Sequence, residues 1–296
     1  LVVTNLRGDI FFVKNEVVGA ENILTTLEAC IGEALSRWDL QAIGIASSGI
    51  VEARRGFSIR SPRRKDMDNV PLRELYEQKF GLPVYVDDVS RSAAFAEWQL
   101  GILQGERCFL YLFLDEGVGL AWLVDGVFYY GPFGIAGEVG HCVIEENGSL
   151  CGCGNRGCLE TFASTEAIVR KVQEALRLGV VSSLAGQEVS MVSIIREAER
   201  GDKLCYSLLT EAGEYVGKAM AQVVNLTGIP LIVLGGQLCK AKEFITEPII
   251  RMVRANALAF LGDRLEIRIA MLDEYAGAMG VAMQALSEVL GRVAKG

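Results

Sequence analysis

Between Gly134 and Ser164 the chain reads GIAGEVGHCVIEENGSLCGCGNRGCLETFAS, and no hydrophobic core can organise that run. It is rich in glycine, bends easily and offers little apolar surface to pack. It contains the only histidine of the chain, His141. After nine residues comes Cys151, then Cys153 one residue further on and Cys158 four residues beyond that. One imidazole and three thiolates suit a tetrahedral structural zinc ion. Such an ion acts as folding energy, with an apparent binding free energy of roughly 10–16 kcal/mol near neutral pH. The spacing differs from the common two-residue finger pattern. A Cys151–Cys158 disulfide and three free thiols in a loop are the alternatives. A lone histidine is more often a packed core residue than a ligand; the glycine-rich cysteine cluster behind it reverses that expectation. Glu138, Glu160 and, less favourably placed, Glu145 are the acids of the run that a ligand would meet.

The segment AGEVGH followed by CGCGNRGCLE resembles the signature of the ROK family, which groups sugar kinases with sugar-responsive repressors. The likeness continues over nearly the whole chain. It implies an α/β architecture, the two-lobed actin-like ATPase (ribonuclease H-like) fold with an interlobe cleft. On this reading residues 1–102 with 277–296 form the smaller lobe, and 103–276 form the larger lobe that carries the zinc stretch.

Length and composition agree with such a fold. The chain has 296 residues, of which 51% are hydrophobic and 22% charged, enough for one large domain or two moderate lobes. Its net charge of −8 argues against this segment gripping a nucleic-acid backbone, which needs clustered Lys and Arg. The basic runs Arg54-Arg55 and Arg63-Arg64-Lys65 are short and read as solvated loops. No stretch approaches the roughly 18 apolar residues of a membrane span, and no signal peptide is visible. Cysteines scattered in apolar surroundings outside the cluster suit a reducing cytoplasm.

Periodicity places the elements. Residues 1–6 and 10–18 read as strands of a hairpin, with Gly8 and Asp9 in the turn. Helical spacing of Ile23, Leu24, Leu27, Ile31 and Leu35 marks a helix over 20–38. Strands are expected at 41–47, 50–58 and 82–86, with helices at 71–80 and from Asp88 to Leu100. A buried strand at 108–114 opens the second lobe, and a pair at 117–124 and 126–130 turns at Asp125-Gly126. Helices follow at 165–178, 189–200, 203–226 and 242–260, strands at 230–234 and 265–271. A helix rich in small residues spans 276–290, which the resemblance returns to the first lobe. Alternating strands and helices indicate layered α/β lobes. The chain begins inside a strand and lacks an initiator Met, as a fragment would. The resemblance implies a strand before it with an Asp-x-Gly-Gly-Thr phosphate loop, or a helix-turn-helix domain earlier still.

Asp87-Asp88 falls where a strand meets a helix. Ligands of open α/β sheets bind beyond the carboxyl ends of strands, but Asp is also a common N-cap. VDDVSRSAAFAE resembles the family segment in which an Asn-Asp pair holds sugar hydroxyls and the Asp removes a proton from the attacking hydroxyl. Asp88 matches that Asp. Asp87 replaces the Asn, and a carboxylate accepts hydrogen bonds but cannot donate them as an amide does. Arg91, one turn along the helix, offers a compensating charge. Glu138, His141 and Glu160 complete the implied sugar site, although on residue type alone the two glutamates equally suit a solvated surface. His141 would serve twice, one ring nitrogen on the metal and the other toward a hydroxyl or a neighbouring carboxylate.

Nucleotide signals are weaker. LDEGVGLA stands where the resemblance implies Gly-Thr-Gly-x-Gly; Gly117 and Gly119 remain, but Asp115 and Glu116 precede them. Two carboxylates beside a polyphosphate repel it unless a metal intervenes. Gly235-Gly236, at a strand-to-helix turn, suits either an anion or a plain tight turn. Two functions follow. One is the sugar-sensing effector domain of a ROK-type transcriptional regulator, touching DNA only through a domain absent from this sequence. The other is a sugar kinase, with Asp88 as general base and ATP and Mg²⁺ as cofactors. The kept sugar side and the eroded phosphate side favour the sensor. The resemblance also implies a homodimer or an assembly of dimers.

Overall fold

A computed structural model of the chain describes residues 1–18, 22–61, 64–272 and 274–293. The chain divides into two compact units. Leu1–Glu106, Phe128–Ala136 and Met271–Gly296 form the first, Arg107–Val127 and Gly137–Ala270 the second. The boundaries lie a few residues from 102/103 and 276/277, and the segment from Phe128 to Ala136 joins the first unit. Its cause is local: Tyr130 and Ala136 hydrogen-bond to Asp87 and Arg91.

In the first unit, β1 (Val2–Thr4) and β2 (Ile10–Val13) pair antiparallel. The Asn5 side-chain oxygen closes their turn by accepting from the Arg7 and Asp9 amides. The second strand stops at Val13, short of the expected Val18. The helix α1 (Ile23–Arg37) buries Cys30, Ile31 and Ala34; its expected start, Ala20, lies outside the described residues. After β3 (Ile43–Ser47), the single strand expected over 50–58 is two: β4 (Ile50–Glu52) and β5 (Phe57–Arg60) pair antiparallel. The Arg55 and Gly56 amides bond back to Glu52 O and Ala53 O, which leaves Arg54-Arg55 at a hairpin tip. Of the second basic run, Arg63 lies outside the described residues, while Arg64 donates to Val18 O at 2.9 Å.

Then α2 (Leu72–Phe80) leads into β6 (Val84–Asp88), which pairs parallel with β3, and into α3 (Val89–Leu100). Ile43, Ile45, Val84 and Val86 alternate inward onto Ile31, Leu72 and Tyr76 to make the core of this unit. Glu97 of α3 is fully buried. Its carboxylate accepts from the amides of Ile102 at 3.0 Å and Leu272 at 2.5 Å. One side chain thus holds the stretch just before the chain leaves this unit and the stretch where it returns.

The second unit is built on a sheet ordered β11-β10-β7-β8-β9. Here β7 (Phe109–Leu114) and β8 (Val118–Val124) form an antiparallel hairpin, and β9 (Val127–Phe128) is its short edge. After the cysteine-rich run come α4 (Glu160–Ala163), too short for periodicity to signal, α5 (Thr165–Arg177), α6 (Met191–Glu199) and α7 (Lys203–Thr227). The last is capped by Asp202 and ended by Gly228 in the left-handed region. β10 (Leu231–Gly235) pairs parallel with β7. The helix expected over 242–260 is α8 (Lys242–Asn256) and α9 (Ala259–Gly262): the Asn225 side chain of α7 captures the Leu258 amide at 2.8 Å and draws the chain out of helix. β11 (Glu266–Ile269) completes the sheet beside β10. Leu110, Leu112 and Leu114 meet Ile232, Leu234, Leu209 and Val216 in one core with zero or near-zero exposure.

The last helix, α10 (Ala276–Val293), packs on α3, β3 and β6 of the first unit. Its small residues permit the close approach: a Cβ on Gly280 would lie 1.7 Å from Ser92 O. Among the described residues no helix is long and apolar enough to cross a membrane.

Candidate metal centre and ligand-binding residues

Four donor atoms of His141, Cys151, Cys153 and Cys158 lie within 4.8 Å of one another in the second unit. His141 Nδ1 is 3.6 Å from Cys151 Sγ, and Cys153 Sγ is 3.6 Å from Cys158 Sγ. With Zn–S near 2.3 Å and Zn–N near 2.0–2.1 Å, tetrahedral angles put such pairs about 3.5–3.8 Å apart. The donor set and its spacing therefore fit a structural zinc ion. All eight cysteines are free thiols, which removes the Cys151–Cys158 disulfide.

The backbone explains how the run reaches this shape. Ile144 and Glu145 amides both bond to Gly157 O, the Gly157 amide bonds to Ser149 O, and the Cys151 amide to Asn155 O at 2.7 Å. These contacts fold the run into a doubled-back elbow. Gly157 has φ +69°, and a Cβ there would meet Glu145 O at 1.5 Å, so only glycine passes. The elbow has little apolar support of its own: Val143 is 48% and Leu150 64% exposed. Burial pushes the Cys158 thiol up to about 12; a coordinated dication does the reverse and deprotonates a thiol outright.

The other ring nitrogen of His141 faces Glu138, with Nε2 3.9 Å from Glu138 Oε2. At that distance the carboxylate is near the imidazole without hydrogen-bonding it. Glu160 opens α4 directly after the last cysteines, and its Oε2 accepts from the Val118 amide at 3.2 Å. The four candidate metal ligands, Glu138 and Glu160 therefore belong to one unit.

Asp87 and Asp88 belong to the first unit. Asp88 caps α3: its Oδ1 accepts from the amides of Ser90 at 2.9 Å and Arg91 at 3.2 Å. Neither bond uses Oδ2. Desolvation pushes the Asp88 carboxyl above the usual range, and the Arg91 charge opposes that rise. The cap reading is met by Oδ1, and Oδ2 lies outside these two bonds. Direct ligand contact by Asp87 is corrected by the structure. Asp87 has no exposed surface, and its two oxygens are taken by Arg91 Nε, the Asp88 amide, Tyr130 Oη and Gln284 Nε2. The compensating charge expected of Arg91 is present, 2.7 Å away. Tyr130 and Gln284 carry no signal in the sequence, because they stand 43 and 197 residues from Asp87.

The glycines offered for a nucleotide have packing reasons of their own. A Cβ on Gly235 would lie 2.0 Å from Tyr111 Oη, and one on Gly236, at φ +90°, 2.4 Å from Leu114 O. Gly119 sits in β8 opposite Phe113, and Gly117 O accepts from the Asp115 amide. Asp115 ties these two loops together. Its Oδ1 accepts from the Glu116 amide at 2.8 Å, and its Oδ2 from the Gln237 amide, directly after Gly236, at 3.0 Å.

A ROK family model matches residues 12–288, and the chain belongs to the ROK family. It is 28% identical to the xylose repressor of Caldicellulosiruptor bescii over 98% of this chain and 76% of that one. Among solved structures it resembles a ROK family transcriptional regulator, a homologue of E. coli Mlc, with TM-score 0.87 and 28% identity, covering 100% of this chain and 78% of the other. It also resembles a ROK glucokinase from Streptomyces griseus solved with glucose and AMPPNP, with TM-score 0.85 and 27% identity over 97% and 95% of the two chains. The fold is thus the mixed α/β, two-lobed actin-like ATPase fold of both repressors and kinases, and it does not choose between them.

Proposed function

We propose that the chain is the sugar-binding effector domain of a ROK-type transcriptional regulator, with DNA contacted only through a region outside this sequence. The observation that carries the reading is Asp115. Its carboxylate occupies the Gln237 amide after the Gly235-Gly236 turn, the kind of donor a phosphate would need. An incoming polyphosphate would meet the charges of Asp115 and Glu116. Each pair of like unit charges at roughly 4 Å costs about 4 kcal/mol near a protein surface. The sugar side is supported by the opposite pattern. Asp88 keeps one carboxylate oxygen outside its cap bonds, and the Glu138–His141 pair stands on the metal-fitting elbow. His141, Cys151, Cys153 and Cys158 would hold the zinc, which supplies order to the elbow and, with four protein ligands, no open position for catalysis.

The ligand class is a neutral aldose, read by carboxylates and an imidazole acting on its hydroxyls. The protein would work in the cytoplasm as a homo-oligomer. Asp88 Oδ2 and the desolvated setting of that carboxyl also suit a general base, so a sugar kinase using ATP and Mg²⁺ is the second reading. Titration calorimetry of zinc-replete protein with xylose, glucose and N-acetylglucosamine, beside a coupled ATP assay, tests both. Heat with at least one sugar and no sugar-dependent ATP consumption is the expected result. ATP-dependent phosphorylation would replace the first reading with the second, and silence with every sugar would remove both.

A further inference from the structure

We propose that Asp87 and Arg91 are a positioning pair, a buried carboxylate–guanidinium unit that sets Asp88 for its ligand and anchors the segment leading to Glu138. The inference rests on the reading that Asp88 accepts a sugar hydroxyl. Asp87 is 0% and Arg91 2% exposed, so neither touches a ligand; both act through what they hold.

Asp88 is gripped from both sides by this pair. Its amide donates to Asp87 Oδ1 at 2.7 Å, and its own Oδ1 accepts from the Arg91 amide at 3.2 Å. The guanidinium then reaches out of the helix: Nη1 donates to Ala136 O at 2.8 Å while the group stacks 5.2 Å from the Tyr130 ring centroid. Ala136 is the last residue of its segment in the first unit, two positions before Glu138. Tyr130 Oη and Gln284 Nε2 donate to Asp87 Oδ2 at 3.1 and 3.2 Å. One carboxylate therefore ties together β6, α3, the 128–136 segment and α10.

Charge, more than hydrogen bonding, explains why position 87 carries Asp where the family resemblance leads one to expect Asn. An amide could keep one oxygen toward Arg91 Nε and the Asp88 amide. Its NH₂ would then face Tyr130 Oη and Gln284, whose Oε1 is buried with no partner and could accept after a flip. What the amide cannot do is neutralise a buried guanidinium, and an unpaired buried charge is strongly disfavoured. Arg91 and Asp87 thus require each other. The groups facing them are Asp88 at the end of β6, Tyr85 on β6, Tyr130 on the 128–136 segment and Gln284 on α10, with Glu288 of α10 acting on Tyr85. The Arg91 charge opposes the rise of the Asp88 carboxyl, so its loss makes that carboxylate harder to ionise.

The test measures sugar affinity by calorimetry from pH 5 to 8 for D87N, R91M, the D87N/R91M double variant, R91K and D88N, with thermal unfolding of each. D87N and R91M should each weaken affinity tenfold or more. The double variant should lose no more than the worse single one, since two residues acting as one unit are not additive. In R91M the acid-side fall of affinity should move to higher pH, a change that a merely structural role would not produce. If R91M does not fold, R91K serves. It keeps the charge and hence the midpoint, but loses affinity with the Ala136 bond. Wild-type affinity in folded D87N or R91M, or strictly additive losses, would overturn the pair while D88N still fails to bind. Wild-type binding by D88N would instead overturn the reading of Asp88, and the pair with it.

Discussion

Removing the metal should open the elbow and leave the sheet beneath it standing. Each ordered residue of the run costs about 1–2 kcal/mol of backbone entropy. Against this stand the amide bonds of Ile144, Glu145, Gly148, Cys151, Gly154 and Gly157 within the run, each worth about 1 kcal/mol net. The loop from Cys142 to Gly157 is too poor in buried side chains to make up the difference: Val143 and Leu150 are exposed, and Cys151, its buried side chain, is itself a proposed metal ligand, while Val139, Leu159, Phe162 and Ala163 are buried on either side of it. The remainder falls to the ion, at roughly 10–16 kcal/mol. Withdrawing even about 5 kcal/mol of it shifts the local opening equilibrium by three to four powers of ten.

Hydrogen exchange read by mass spectrometry, with and without a high-affinity zinc chelator, measures this directly. Amides of Ile144, Cys151 and Gly157 should lose protection by at least a thousandfold. Those of β7 and β10, inside the main core, should change little. Elemental analysis of gently purified protein should give one zinc per chain, and Cys158→Ser should reproduce the chelator pattern without chelator. An elbow that stays protected after the metal is gone, or protein that never contains any, refutes the reasoning.

Two further outcomes follow from single carboxylates. Burial raises the Glu97 carboxyl above the ordinary glutamate value near 4.5, against the opposing bonds from Leu272, Ile102 and Met271. The folded state therefore holds that proton more tightly than the unfolded one. Its contribution to stability is greatest below 4.5 and declines as pH rises through the raised value. Glu97→Gln should flatten that decline in urea-unfolding curves taken from pH 4 to 8, at a cost of about 1–3 kcal/mol because one backbone amide then faces an NH₂ group. At Asp202 the sign is opposite. Burial alone would raise its carboxyl, but bonds from Cys205, Ser183 and Ser182 hold it well below the usual range. The stability it gives is present above 3.8 and lost on further acidification. Asp202→Ala should cost about 1–2 kcal/mol at neutral pH as a lost cap, and the difference from wild type should shrink in acid.

What the sequence disclosed, and what it hid, divides by distance along the chain. The four candidate metal ligands lie within one short run, so spacing and residue chemistry sufficed to group the donors that the fold brings together. Asp88 as both cap and ligand candidate was equally local, as was the charge of Arg91 one turn away. The burial of Asp87 was not legible, because Tyr130 and Gln284 reach it from remote segments and no local periodicity announces them. For the same reason the Asp115–Gln237 bond, which joins two loops 122 residues apart, could not be foreseen from glycine patterns. Apolar runs located most strands and helices. They failed where a polar detail breaks a run, at the Arg54–Gly56 turn and where Asn225 ends α8.

The placement of α10 has a consequence for biosynthesis. Residues 107–270 leave the ribosome as a nearly continuous block containing every strand of their sheet, whereas the unit begun first must wait for the final helix. Until then β3, whose Gly44 lies against Val281, has an uncovered apolar face, and Asp87 lacks Gln284. Folding would therefore finish in the reverse of the usual N-terminal-first order. Removing α10 would therefore damage residues 1–106 more than residues 107–270.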